Sequence, residues 1–142
     1  MNKDYPYHRR VNYYETDQMG IVHHSNYIRW FEEARTDYME KRGVCYAEIE
    51  RQGVLMPVVS VRCDYKNPAR FADDIEIYTA LIKFNGARVI FRYEVYSAAE
   101  KKLLVTGESE HCFIDTQSRK PLALRRVLPE YAALLEKIQE NT

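Results

Sequence analysis

The sequence has no net charge, because 21 lysines and arginines balance 21 aspartates and glutamates. A balanced chain lacks the broad positive field with which proteins hold nucleic acid or an anionic membrane surface. It also lacks a long apolar run: the longest, around residues 55–61, is interrupted by Pro57 and Ser60 and is too short to cross a bilayer. We therefore predict no nucleic-acid partner and no membrane span.

Cysteine is scarce. Cys45, Cys63 and Cys112 are scattered, and no pair of them has the C-x-x-C spacing of a redox or metal site. An odd number of isolated cysteines predicts free thiols, which are typical of a reducing compartment. The first ten residues are polar and charged and contain no apolar core of a secretion signal. Together these absences predict a cytoplasmic protein.

The length and the aromatic residues are informative in their own right. The chain has 142 residues without linker or repeat, which predicts one domain over 1–142. Tyrosine is the abundant aromatic residue, with 12 copies against 5 phenylalanines and 1 tryptophan. Tyrosine suits strands and partly wetted interfaces better than the interior of a helical bundle. A sheet is therefore expected.

Hydrophobic spacing predicts three helices. The longest covers residues 26–42, between Ser25 as N-cap and Gly43 at its C-terminal end. Its apolar residues recur at helical spacing and form one stripe, which consists of Tyr27, Phe31, Ala34 and Tyr38. A short helix is predicted over residues 46–52. A third begins at Pro129 and directs four side chains inward, namely Tyr131, Leu134, Leu135 and Ile138.

Alternating patterns predict strands over residues 7–14, 59–65, 75–84, 88–97 and 103–115. Asn85-Gly86 joins two of them and is typical of a tight hairpin turn. In the first strand Val11 and Tyr13 are expected on one face. In the second, the buried face is expected to contain Val59, Val61, Cys63 and Tyr65. This element order predicts an α+β fold, and one long helix cannot cover both faces of the sheet, which favours a homo-oligomer.

Residues 13–27 contain the densest cluster of functional side chains. Asp17 and His24 offer a carboxylate and an imidazole beside the predicted helix start, where backbone N–H groups lack partners. Gly20 allows a ligand to approach the backbone. This combination suits acyl transfer to water, with an oxyanion held by the N–H groups. Two alternatives stay open here: Asp17 as a loop residue bonded to its own backbone, and His24 as a solvated residue near an N-cap.

Two histidines in succession, His23 and His24, do not have the spacing with which side chains ligate one metal ion. We therefore predict no metal site.

The segment at residues 14–27 reads YETDQMGIVHHSNY, and residues 31–36 read FEEART. Both resemble the acyl-CoA thioesterases of the 4-hydroxybenzoyl-CoA thioesterase family, in particular the YbgC/FadM-like branch of the hotdog superfamily. That branch typically has T-D-x-x-G-V-V-Y/H-H-x-x-Y and then E-x-A-R-T. The segment YKNPARFAD at residues 65–73 is similar to its Y-x-x-P-A-x-x-x-D passage. The resemblance implies a long central helix wrapped by a curved antiparallel sheet, and homodimers or homotetramers.

The resemblance also implies hydrolysis of acyl-CoA thioesters, with CoA as part of the substrate and no separate cofactor. Asp17 matches the family's catalytic carboxylate, as nucleophile or general base. Tyr13 and His24 match a tyrosine and a histidine that accompany it. Glu33 lies roughly where another hotdog group has its catalytic acid and is the rival general base.

The expected substrate contacts follow the same segment. They are Met19, Gly20, His23, Asn26 and Tyr27. Met19 and His23 depart from the usual small and aromatic residues of the branch, and both are expected to line the acyl pocket. The CoA phosphates need local positive charge, for which we expect the cations at strand ends and turns. These are Lys66, Arg70 and Arg88.

Two other functions remain as alternatives. A non-catalytic acyl-CoA-binding module usually accompanies a DNA-binding segment, and no such segment or basic patch occurs in this sequence. A hotdog dehydratase is expected to pair a histidine with an acidic residue on the helix, whereas here His24 and Asp17 share one loop.

Overall fold

The computed structural model describes residues 5–142. The first four residues belong to the charged stretch in which we predict no secretion signal, and they lie outside the described range. The strands are β1 (Tyr7–Arg10), β2 (Val54–Leu55), β3 (Val58–Tyr65), β4 (Asp74–Phe84), β5 (Arg88–Ser97), β6 (Leu103–Cys112) and β7 (Ile114–Asp115). The helices are α1 (Asn26–Glu40), α2 (Tyr46–Arg51), α3 (Leu124–Val127) and α4 (Pro129–Glu140).

Five strands form one antiparallel sheet in the order β1-β4-β5-β6-β3. The β4–β5 hairpin runs from the pair Ile75–Ser97 to the pair Phe84–Val89. Its turn is shifted by one residue from the predicted Asn85-Gly86: Asn85 pairs with Arg88 through a backbone N–H to carbonyl bond of 3.1 Å, so the two turn residues are Gly86 and Ala87. Gly86 has φ +92°, and the Asn85 side-chain oxygen accepts the backbone N–H of Arg88 at 2.7 Å. The predicted hairpin is confirmed.

The apolar stripe of α1 packs on one face of this sheet. Its four predicted members are buried, and Trp30 beside them is fully buried as well. Phe31 stacks on Tyr93 of β5 with ring centroids 4.4 Å apart. Gly107 of β6 makes room for that ring, because a Cβ there would lie 2.3 Å from it. Burying a ring of this size stabilises the fold by about 2 kcal/mol, so this contact is a main anchor of the helix.

The first predicted strand is too long. β1 ends at Arg10, and Tyr13–Glu15 form one turn of 3₁₀ helix. The Glu15 carboxylate accepts the backbone N–H of Asn12 at 2.8 Å, which bends the chain out of the sheet. Val11 is buried, but Tyr13 is 75% exposed, so the two residues do not share a buried face.

The predicted buried face of β3 is wrong for three of its four members, whereas Cys63 packs partly buried against the core. Val59, Val61 and Tyr65 are 45%, 40% and 49% exposed. The reason is position: within residues 5–142, β3 is an edge strand that pairs with β6 alone, and its register is irregular between Val58 and Ser60. An alternating pattern indicates a face but not what covers it.

The last predicted strand, over residues 103–115, is two strands. β6 ends at Cys112, and β7 leaves the main sheet to pair with β2. Neither β2 nor α3 was predicted, because each is too short to show a period. α4 begins at Pro129 as predicted; Leu135 and Ile138 are buried, and Tyr131 and Leu134 pack partly buried against the core.

Two further predictions concern the chain as a whole. All three cysteines are free, as expected. Of the helices within residues 5–142, none is long and apolar enough to cross a membrane.

Candidate active site

A cleft of about 310 Å³ opens between the loop before α1, the start of α1 and the end of β3. Five of the residues predicted for the site line it: Asp17, Met19, His24, Tyr27 and Lys66. The cleft is also lined by residues that the sequence did not single out, namely Ile21, Val22, Tyr65, Asn67 and Pro68. A carboxylate, an imidazole, two phenols and an ammonium group therefore share one cavity.

The Asp17 loop is a tight turn. The backbone N–H of Asp17 donates to the Ile21 carbonyl at 2.9 Å, and that of Gly20 donates to the Asp17 carbonyl at 2.9 Å. Gly20 has φ +78°, which favours glycine at this position. Asp17 Oδ1 accepts the Met19 N–H at 2.8 Å. Asp17 is thus bonded to the backbone of its own loop through Oδ1, as in the first alternative above. No hydrogen bond from residues 5–142 reaches Oδ2.

The N-terminus of α1 is uncapped. Ser25 occupies the predicted N-cap position but makes no side-chain capping bond. Its hydroxyl oxygen lies 2.8 Å from His23 Nδ1 instead. The backbone N–H of Asn26, the first in the helix, donates to the His23 carbonyl at 3.0 Å. The next N–H groups of the first turn, from Tyr27 onward, have no side-chain cap from Ser25 and carry partial positive charge at the edge of the cleft. This is the place where a developing oxyanion can be held.

Several predicted residues lie beside the cleft rather than in its wall. The ring of His23 is 4.1 Å from that of His24 and turns toward Ser25. Tyr13 packs edge-on against Phe71, with ring centroids 5.4 Å apart. Asn26 donates its side-chain amide to the Glu15 carbonyl at 2.8 Å. Together with Gly20, these side chains shape the loop but do not line the cavity.

The two phenols of the cleft stay protonated. Burial raises the pKa of Tyr27, and burial together with the nearby Cys63 raises the pKa of Tyr65. The Tyr65 hydroxyl donates to the His24 carbonyl at 2.9 Å. Tyr65 thus ties the end of β3 to the start of α1, a role that only its position in space reveals.

The predicted cations are dispersed. Lys66 lines the cleft, whereas Arg70 and Arg88 do not. Arg88 lies at the start of β5 and sits 3.5 Å from Glu110. Glu33, the rival general base, accepts hydrogen bonds from the Tyr7 hydroxyl at 2.9 Å and from Arg9 at 3.3 Å, away from the cavity. In the part of the chain that is described, no group of three His, Cys, Asp or Glu side chains could hold a metal ion.

Glu15 is the residue that sequence reasoning missed. It is 5% exposed, and its carboxylate accepts from Arg9 Nη2 at 2.8 Å, from Arg9 Nη1 at 3.0 Å and from Trp30 Nε1 at 2.7 Å. One signal could have found it: Asn12 and Glu15 have the N-x-x-E spacing of a capping box, and the structure contains that box.

Comparison with known proteins places the chain in a family. The family model of the thioesterase-like superfamily matches residues 11–138. The chain belongs to that superfamily. The matched range includes α1, strands β3 to β6 and all the residues that line the cleft.

Individual relatives agree. YneP of Bacillus subtilis, a proposed acyl-CoA thioesterase, is 35% identical over 130 residues, which are 92% of this chain and 94% of YneP. The acyl-CoA thioester hydrolase YbgC of Escherichia coli O157:H7 is 30% identical over 115 residues, 81% of this chain and 85% of YbgC. The crystal structure of DHNA-CoA thioesterase from Staphylococcus aureus superposes with a TM-score of 0.92 at 32% identity, over 95% of this chain and 90% of that one. The predicted hotdog fold and the predicted thioesterase kinship are confirmed.

Proposed function

We propose that this protein hydrolyses acyl-CoA thioesters to a free carboxylic acid and CoA. One observation carries the proposal: Asp17 lines a cleft that also borders the N-terminus of α1, and its Oδ2 accepts no hydrogen bond from residues 5–142. The relatives named acyl-CoA thioesterases support the substrate class. CoA enters as part of the substrate, and no separate cofactor is required.

Hydrolysis of a thioester does not require strong activation of the leaving group. A thiol has a pKa of about 8.5, so the CoA sulfur departs without strong protonation, and the demanding step is formation of the tetrahedral oxyanion. Asp17 Oδ2 attacks the thioester carbonyl or removes a proton from the attacking water. The N–H groups of the first turn of α1 hold the oxyanion. His24 and the phenol of Tyr27 border the reacting group, and Lys66 meets the phosphates of CoA.

The substitution Asp17→Asn tests the proposal. The amide keeps the size and one acceptor oxygen of the side chain but can neither attack nor accept a proton. We expect kcat on a reactive acyl-CoA to fall by about 100-fold or more, as for loss of a general base or nucleophile. Glu33→Gln is the matched control, since Glu33 lies away from the cleft, and it should retain activity. If Asp17→Asn hydrolyses acyl-CoA like wild type, the assignment is wrong.

A panel of substrates separates the alternatives. Short and long acyl-CoAs, aryl-CoAs and acyl carrier protein thioesters are incubated with the protein, and release of free thiol is measured. Release from any of them supports hydrolysis. Binding without release supports the non-catalytic module, and a change in the acyl group without release supports a dehydratase.

We further propose that the protein works as a homo-oligomer built from at least a dimer, in the cytoplasm. Among residues 5–142, the edge strand β3 has a strand partner on one side alone, and it also presents exposed Val59, Val61 and Tyr65. An apolar edge of this kind invites pairing with another chain. A second copy that covers β3 would also lie beside Tyr65 and Lys66, two residues of the cleft.

A further inference from the structure

The Asp17 loop is held from both ends by one residue, Glu15. Its side chain reaches back to β1, where Arg9 donates two hydrogen bonds to the carboxylate, and forward to α1, where Trp30 donates a third. A fourth comes from the backbone N–H of Asn12. The Arg9 guanidinium also lies 4.6 Å from the centre of the Trp30 ring. The carboxylate is thus buried, ion-paired and fully bonded.

The backbone of Glu15 adds a second set of contacts. Its carbonyl accepts the backbone N–H of His23 at 2.9 Å and the side-chain amide of Asn26 at 2.8 Å. His23 closes the loop that Glu15 opens, and Asn26 is the first residue of α1. A bridge between Thr16 and Val22 lies just inside these contacts. Both ends of the loop and the helix start therefore meet at one point.

From these contacts we infer that Glu15 is a positioning residue, which sets the place of the Asp17 carboxylate relative to the N–H groups of α1. The inference rests on the proposed function. Asp17 is only two residues from Glu15. The backbone N–H groups proposed to hold the oxyanion begin at Tyr27, the residue after Asn26. Because a misplacement of about 1 Å can reduce a rate about 100-fold, loosening this point should slow the reaction while leaving substrate binding nearly intact.

Glu15→Gln tests the inference. The amide keeps the shape but removes the negative charge and directs an NH₂ group at the donors of Arg9 and Trp30. We expect kcat to fall about 10- to 100-fold, with KM within about threefold of wild type. Arg9→Lys keeps the positive charge but cannot make both hydrogen bonds, so it should lower kcat by a smaller factor in the same pattern. It also serves if Glu15→Gln does not fold.

Glu76→Gln is the matched control. Glu76 lies on β4, outside the cleft, and is also a buried carboxylate, with 7% of its surface exposed. Its carboxylate accepts a hydrogen bond from Lys101 Nζ at 2.9 Å. It should lower the melting temperature without lowering kcat at a temperature where the protein is folded. The inference fails if Glu15→Gln keeps wild-type kcat, or if its kcat falls no more than that of Glu76→Gln at an equal loss of melting temperature.

The two proposals fail separately. If Asp17→Asn is inactive and Glu15→Gln is fully active, the positioning role is wrong and the proposed hydrolysis stands. If Asp17→Asn is active, the proposed role of Asp17 is wrong whatever Glu15→Gln does.

Discussion

His111 is a fully buried imidazole at the inner end of a chain of polar side chains in the core. Arg35 Nη1 donates to the Tyr93 hydroxyl at 3.0 Å, Tyr93 shares a hydrogen bond with Ser109 at 2.6 Å, and Ser109 shares one with His111 Nε2 at 2.8 Å. Burial, helped by the positive charge of Arg35, lowers the pKa of His111 to about 4. The imidazole is therefore neutral in the folded protein.

This makes folding stability depend on pH. His111 has a pKa of about 6.5 when unfolded, above its folded value of about 4. The contribution of neutral His111 to the free energy of unfolding is fully present above pH 6.5. As the pH falls to 4.5, protonation of this histidine in the unfolded chain lowers the free energy of unfolding by about 2–3 kcal/mol. We expect the free energy of urea unfolding of His111→Gln to change less between pH 7 and pH 4.5 than that of wild type, by about this amount. Equal changes in the two proteins would contradict the assignment.

At the scale of helices and strands, the strand end at which a cationic residue lies determines whether it is close enough to the cleft to contact the CoA phosphates. Lys66 follows β3 and lines the cleft, whereas Arg88 begins β5 and lies near Glu110. Lys66→Glu should raise KM for acyl-CoA about 3- to 10-fold and weaken its dependence on salt, because a screened attraction is lost. Arg88→Glu is the matched charge reversal and should leave KM unchanged. The role of Lys66 is wrong if both variants change KM equally.

At the scale of helices and strands, the sequence predicted those elements whose hydrophobic pattern repeats over many residues. α1 and the β4–β5 hairpin were predicted because each repeats its pattern over many residues or contains a specific turn pair. The exposed face of β3 was not, since coverage of a strand depends on its place in the sheet order. β2, β7 and α3 have two to four residues each and show no period at all.

At the scale of the whole molecule, β3 is the edge that a second copy is proposed to cover. Val61→Lys places a charge on that edge, which opposes pairing. We expect light scattering to give at least twice the 16.9 kDa chain mass for wild type and the single-chain mass for the variant. His8→Lys alters β1 at the other edge of the sheet and should assemble like wild type. A wild-type protein of single-chain mass would overturn the proposed assembly.

The sequence by itself determined the elements and features that depend on neighbours along the chain: the stripe of α1, the hairpin turn, and the loop that brings Asp17 close to the start of α1. Local hydrogen bonding and side-chain spacing are sufficient for these. Only the tertiary structure decided that Lys66 but not Arg88 reaches the cleft, that β3 is exposed, and that Glu15 is buried against Arg9 and Trp30. Such outcomes depend on contacts between residues that are distant in sequence, such as Arg35 and Tyr93. A local sequence pattern does not indicate which distant residue will bury a given side chain.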